Sequence, residues 1–171
     1  MNPDLAFALL PNRPQEIPRV AAWWCHEWGL PSRHSSFDDY VRELEGLLPD
    51  MLPAHLLAVQ AGRAVGVATL KVKVDHPVIQ GQSHWLSGVY VDSPYRSRRI
   101  ATALCCEILD LARSRGVEQV YLQTERLEGG LYAKLGWTPL RRHHEDGVNQ
   151  LVMVKDVSSA AEDRASGEGE A

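Results

Sequence analysis

The chain has 171 residues, 44% of them hydrophobic and 23% charged, enough to bury one ordinary core and too few for two. Its formal net charge is -4, and residues 158–171 carry -3 of it through Glu162, Asp163, Glu168 and Glu170 against Arg164. A near-neutral body has no global field to draw nucleic acid, so a nucleic-acid partner is not expected. The run from Leu5 to Leu10 is far below the roughly 20 apolar residues a membrane span needs, so no membrane partner is expected either. Cys25, Cys105 and Cys106 form no disulfide framework or zinc spacing. The expectation is a single domain over residues 1–157 in a reducing cytoplasm. Residues 158–171 hold no branched or aromatic apolar side chain to offset ordering entropy, and they are expected to be a disordered acidic tail.

Leu5 to Leu10 reads as a first strand, closed by Pro11 and Pro14, and Ile17 to Trp28 as a helix carrying Val20, Trp23, Trp24 and Trp28, with Gly29 and Pro31 at its end. The tryptophans are expected in the core, with one of the three able to line an acceptor pocket. Ser36 is placed to cap a second helix, with Asp38 and Asp39 in its first turn and Tyr40, Leu44, Leu47 and Leu48 at helical spacing up to Pro49. His55 to Gln60 and Ala64 to Val74 flank Ala61, Gly62 and Arg63 as a β-hairpin. Trp85 to Val91 is a fourth strand, ended by Ser93 and Pro94. From Ile100, the positions Ala103, Leu104, Ile108, Leu111 and Ala112 follow a 3.6 period up to Gly116, a C′ glycine. Val117 to Thr124 is a fifth strand, Leu131 to Leu135 a short helix stopped by Gly136, and Thr138 to Arg142 and Val148 to Val154 pair around Asp146 and Gly147. Strand, helix and strand from Trp85 to Thr124 imply a parallel pair within a mixed sheet, an α+β fold.

The segment PYRSRRIA, Pro94 to Ala101, joins a strand end to a helix start. Arg96, Arg98 and Arg99 stand where the helix dipole already presents about half a positive charge, so they oppose it unless a polyanion is bound. Guanidinium groups and the unpaired first-turn amides together suit a phosphate. A solvated basic turn is the bland alternative.

The run VYVDSPYRSRRIATAL resembles the acetyl-CoA signature of the GNAT superfamily of N-acetyltransferases: an apolar strand, then Arg or Gln, two residues, Gly, one residue, and Gly or Ala. Arg96 and Ala101 match, and Arg99 stands where the family has glycine. A second stretch, LQTERLEGGLYAKLGWTPL, resembles the family's Tyr, three residues, Gly, then Phe or Trp, at Tyr132, Gly136 and Trp137. The likeness covers Trp85 to Val154 well and the hairpin from His55 to Val74 passably; the first 50 residues match only in their order of elements.

This resemblance implies a GNAT-like fold, a central twisted mixed sheet flanked by helices. It implies transfer of acetyl from acetyl-CoA to a primary amine, by direct attack in a ternary complex. Coenzyme A would lie along the backbone of Val89, Tyr90 and Val91 and on Arg96, Ser97, Arg98, Arg99, Ile100, Ala101 and Thr102, with no metal required. Tyr132 would protonate the departing thiolate, since a phenol of pKa about 10 can donate to a thiolate whose conjugate acid lies near about 8.5.

An attacking amine must be neutral, and no clear base is present. His84, at the start of the fourth strand, is the best single candidate, ahead of Glu125 and Glu27; each is also an ordinary surface residue. His143, His144, Glu145 and Asp146 are a poor metal site, because adjacent strand histidines face opposite ways and the acids fall in an expected turn. The acceptor would be a small-molecule or peptide amine, and a homodimer stays open. A second reading, motivated by Arg99 and the missing base, is an acyl-CoA-binding module that has lost turnover.

Overall fold

The computed structural model describes residues 4–28 and 36–158. In chain order the elements are β1 (Leu5–Leu9), α1 (Ile17–Trp28), α2 (Phe37–Glu45), β2 (Ala54–Gln60), β3 (Arg63–Val74), β4 (Gln82–Val91), α3 (Ile100–Ser114), β5 (Gln119–Thr124), α4 (Gly130–Lys134), β6 (Thr138–Glu145) and β7 (Val148–Asp156). The seven strands form one mixed sheet in the order β1-β2-β3-β4-β5-β7-β6. The parallel pair expected from the strand-helix-strand pattern is β4 with β5, in register at His84↔Val120 and Trp85↔Tyr121. β1 with β2, β2 with β3, β5 with β7 and β6 with β7 pair antiparallel. Gly29 and Pro31, expected to end α1, and the tail beyond residue 158 lie outside the described residues.

The chain divides into two compact units, one of Met1–Leu70 with Gly88–Cys105 and one of Lys71–Ser87 with Cys106–Ala171. In the first, α1 buries Ile17, Val20, Ala21 and Trp24, an i, i+3, i+4, i+7 stripe, against Leu10, Leu44, Leu57, Val59 and Val67. Each large aliphatic side chain buried this way contributes about 1.5–3 kcal/mol. Trp23 joins the core, whereas Trp28 is 43% exposed, so of the three tryptophans expected in the core one lies at the surface. Ser36 caps α2 as expected; the partner is Asp39, whose carboxylate accepts from the Ser36 amide at 2.9 Å while Ser36 Oγ accepts from the Asp39 amide at 3.2 Å. That helix ends at Gly46, earlier than Pro49, because Leu47 and Leu48 leave the helical path.

One buried carboxylate that the sequence pattern did not single out helps lock this unit. Glu16 is 5% exposed, and its two oxygens accept from Arg19 Nε at 2.8 Å and from the Ala64 amide at 3.1 Å. Burying a charge is costly unless it is paired and hydrogen-bonded, and here both oxygens are used. Gly66 on β3 allows a close approach: a Cβ there would lie 2.9 Å from the Tyr90 carbonyl and 3.2 Å from Leu104, with Ile100 at 3.5 Å.

In the second unit Trp85, Ile108, Val120, Leu122, Trp137, Val152 and Met153 are buried. The short helix α4 starts from Gly129, whose φ of 83° and crowding against Ala133 and Met153 exclude a side chain. Just past its end, the carbonyls of Leu135 and Gly136 accept from Lys155 Nζ at 3.1 and 3.3 Å. Trp137 is buried in this core, 3% exposed.

Candidate active site

The first unit holds the segment from Gly88 to Thr102. Gly88 has a φ of 58° inside β4, the left-handed conformation that marks a bulge and re-aims the neighbouring backbone groups. Val89, Tyr90 and Val91 follow it, all partly buried. The strand ends with the Asp92 amide on the Val65 carbonyl at 2.9 Å, and a single 3-10 turn, Ser93–Tyr95, leads into the arginine loop.

In that loop Arg96, Ser97, Arg98 and Arg99 are all exposed. Ser97 and Arg99 have φ of 62° and 61°. α3 starts only at Ile100, and Arg99, standing where the family has glycine, takes the left-handed form that glycine adopts freely. The first α-helical bond is from the Ala103 amide to the Arg99 carbonyl at 3.0 Å, so the amides of Ile100, Ala101 and Thr102 precede it, as at any helix start. Two left-handed residues, three bare amides and three guanidinium groups in seven positions suit an anion. Two of the arginines rest on tyrosines of their own segment, Arg96 5.6 Å above the Tyr90 ring and Arg98 5.5 Å above the Tyr95 ring. An open hollow beside them is lined by Asp4, Gln60, Ala61, Tyr95 and Arg98.

α1 adds an aromatic flank to the same strand. Trp23 lies 5.2 Å and Trp28 6.5 Å from the Tyr90 ring, and Trp24 packs edge-on to Tyr40 at 6.1 Å and to His55 at 4.9 Å. His55 Nδ1 lies 2.8 Å from the Thr69 hydroxyl. This network was not legible beforehand, because its members are scattered over α1, β2 and β3.

The second unit holds Tyr132 and His84. Tyr132 is on α4, partly buried, its ring edge-on to Trp137 at 6.2 Å. His84 is partly buried on β4, four residues before Gly88 in sequence, and Glu125 is exposed just after β5. Glu27 of the first unit is exposed on α1.

The histidine cluster differs from expectation. β6 runs on to Glu145, so Glu145 is a strand residue two positions from His143 and on its side of the strand, while His144 bonds to Asn149 at 2.9 Å. His76 joins them, and among the described residues His76, His143 and Glu145 bring three ligand-type atoms within 4.8 Å of one another. The His76 ring is already committed, however. Nδ1 accepts from the Val78 amide at 3.2 Å, which leaves Nε2 to donate to Gln123 Oε1 at 3.1 Å. Ligation would require one of these bonds to break.

A family model described as "Acetyltransferase (GNAT) family" matches residues 17–137. None of the curated proteins matches the chain. Among solved structures, the chain is similar to an N-acetyltransferase from Staphylococcus aureus Mu50, at 12% identity and TM-score 0.70 over 90% of this chain and 98% of that one. It is also similar to an aminoglycoside 6'-N-acetyltransferase complexed with coenzyme A, at 16% identity and TM-score 0.69 over 89% and 97%. Arabidopsis thaliana NAA60 in complex with acetyl-CoA is matched at 16% identity and TM-score 0.64 over 89% and 98%. At these identities the likeness shows a shared fold.

Proposed function

The chain belongs to the GNAT acetyltransferase family, and on that premise we propose that it moves the acetyl group of acetyl-CoA to a primary amine by direct attack in a ternary complex. The observation that carries this reading is the junction of β4 and α3, a strand with a left-handed Gly88 followed by an arginine loop and the bare amides of a 15-residue helix. The pyrophosphate of coenzyme A is assigned to Arg96–Thr102 and its pantetheine arm to the backbone of Val89, Tyr90 and Val91. An amide there aimed at the thioester oxygen acts where negative charge grows, and so favours the transition state over the ground state.

Tyr132 is proposed as the acid that protonates the departing thiolate, and His84, or a water it holds, as the group that takes the proton from the amine. The cysteines offer no acyl-carrier route: Cys105 is buried in α3, Cys106 is exposed on it, and Cys25 lies on α1 away from any catalytic pattern. No helix among the described residues is long and apolar enough to cross a membrane.

The left-handed Arg99 favours one alternative, an acyl-CoA-binding module without turnover. A panel of amines incubated with acetyl-CoA separates the two. Amine-dependent release of free thiol, with the acetylated amine identified by mass, supports transfer, whereas tight coenzyme A binding with no product from any amine supports the module.

A further inference from the structure

Two buried polar side chains stand beside Gly88, and the mechanism above uses neither. The indole of Trp24 is 8% exposed, and its Nε1–H has no hydrogen-bond partner among the described residues. Thr69 is 3% exposed, its hydroxyl against the imidazole of the equally buried His55. Both polar atoms converge on one point: a Cβ on Gly88 would lie 3.3 Å from Thr69 Oγ1 and 3.9 Å from Trp24 Nε1. Position 88 has no side chain between them, and Gly88 itself is partly exposed. A buried donor without a partner costs about 1–3 kcal/mol, and such groups call for an explanation in what they bind.

We propose that these two atoms form a polar clamp on the reacting groups, Trp24 Nε1–H donating to the thioester oxygen and Thr69 Oγ1 accepting from an N–H of the attacking amine. The inference rests on the acetyl-transfer reading above. As the amine lone pair forms the C–N bond, the carbonyl π pair moves onto oxygen, where the indole donor meets it. Collapse restores the carbonyl and breaks the C–S bond. The sulfur leaves as thiolate, to be protonated in turn, and the surplus proton on nitrogen is lost to solvent. With the Thr69 hydroxyl hydrogen directed to His55 Nδ1, the Oγ1 lone pairs are left for the amine, whose own lone pair is thereby aimed at the carbonyl carbon. His55 is a positioning residue that acts through Thr69.

Three variants and one spectrum test the clamp. Trp24→Phe keeps an aromatic ring without the donor, and kcat should fall on the order of 10²-fold with both KM values near wild type. Thr69→Val keeps the shape without the hydroxyl; kcat/KM for the amine should fall about tenfold with acetyl-CoA affinity unchanged, and Thr69→Ser should restore most of it. Independently of turnover, the Trp24 indole resonance of ¹⁵N-labelled protein should move on adding acetonyl-coenzyme A, an uncleavable ketone, and stay in place with coenzyme A alone. An indole resonance that ignores the ketone overturns the clamp, as does a wild-type rate in Trp24→Phe; the spectrum decides should that variant misfold. A resonance that moves in a protein that acetylates no amine keeps the indole contact and overturns the transfer reading instead.

Discussion

The guanidinium of Arg96 lies over the ring of Tyr90 while its Nε donates to the Val91 carbonyl at 2.9 Å. The arginine that opens the proposed phosphate-binding loop is thus held by the strand it follows, and a bound phosphate would have to compete with that arrangement. Arg98 is held similarly on Tyr95. Replacing both Arg96 and Arg98 by Glu should weaken coenzyme A binding and make the residual affinity less salt-dependent, since fewer counter-charges are exchanged. Calorimetric titration at two salt concentrations measures this. Unchanged affinity would remove the pyrophosphate from this loop.

Arg99→Gly is expected to act in the opposite direction. A non-glycine residue in the left-handed region pays about 1–2 kcal/mol that glycine does not, offset in part by the entropy glycine loses on folding. The variant should be stabilised by up to about 1 kcal/mol and bind coenzyme A at least as tightly. Urea midpoints and a binding titration test this; a less stable variant would mean that the guanidinium makes contacts worth more than the strain.

Tyr132→Phe keeps the ring against Trp137 and removes the proton. The fold and acetyl-CoA affinity should survive while kcat falls by about 10² to 10⁴, the range of acid-base catalysis. Equal turnover would leave Tyr132 as packing, and joint loss of binding and stability would make its hydroxyl structural.

For His84, the measurement is the pH profile of kcat/KM. His84→Ala should change that profile, because the group proposed to take the amine proton is gone. A variant that keeps the wild-type profile hands the proton to another residue or to solvent.

His76 supplies a stability prediction. Burial holds its imidazole below the ordinary value of 6.5; the hydrogen bond to Gln123 opposes this, Lys73 and His143 add to it, and Glu145 opposes it. The unfolded chain therefore binds a proton that the folded chain resists. The contribution is fully present above pH 6.5 and is lost as pH falls from there toward the folded value. His76→Gln should flatten the fall in urea-unfolding free energy over that window, and an unchanged slope would assign it to other groups.

Much of the fold was legible because its signals are local. The helix α1, the cap at Ser36, the glycine after α3 and the sites of the hairpin turns each follow from residues a few positions apart. The arginine loop was legible for the same reason. Left-handed backbone at Ser97 and Arg99 was not, because neither residue type announces it. Gly88 did carry a signal, a glycine inside an apolar strand, but its neighbours Thr69 and Trp24 come from elements 19 and 64 residues away in the sequence. His76 reaches His143 across a similar gap, which no spacing rule covers.

Gly66 carries a consequence for how freely this sequence can drift. The height of the first turns of α3 over β3 is fixed by a hydrogen atom where any other residue would place a carbon, with a main-chain oxygen of β4 on the far side. A flexible neighbour could yield to an added methyl group; a strand carbonyl cannot do so without moving the strand. Residue 66 therefore couples the spacing of helix and sheet to the position of the arginine loop, and every side chain larger than hydrogen is excluded there on grounds of distance alone.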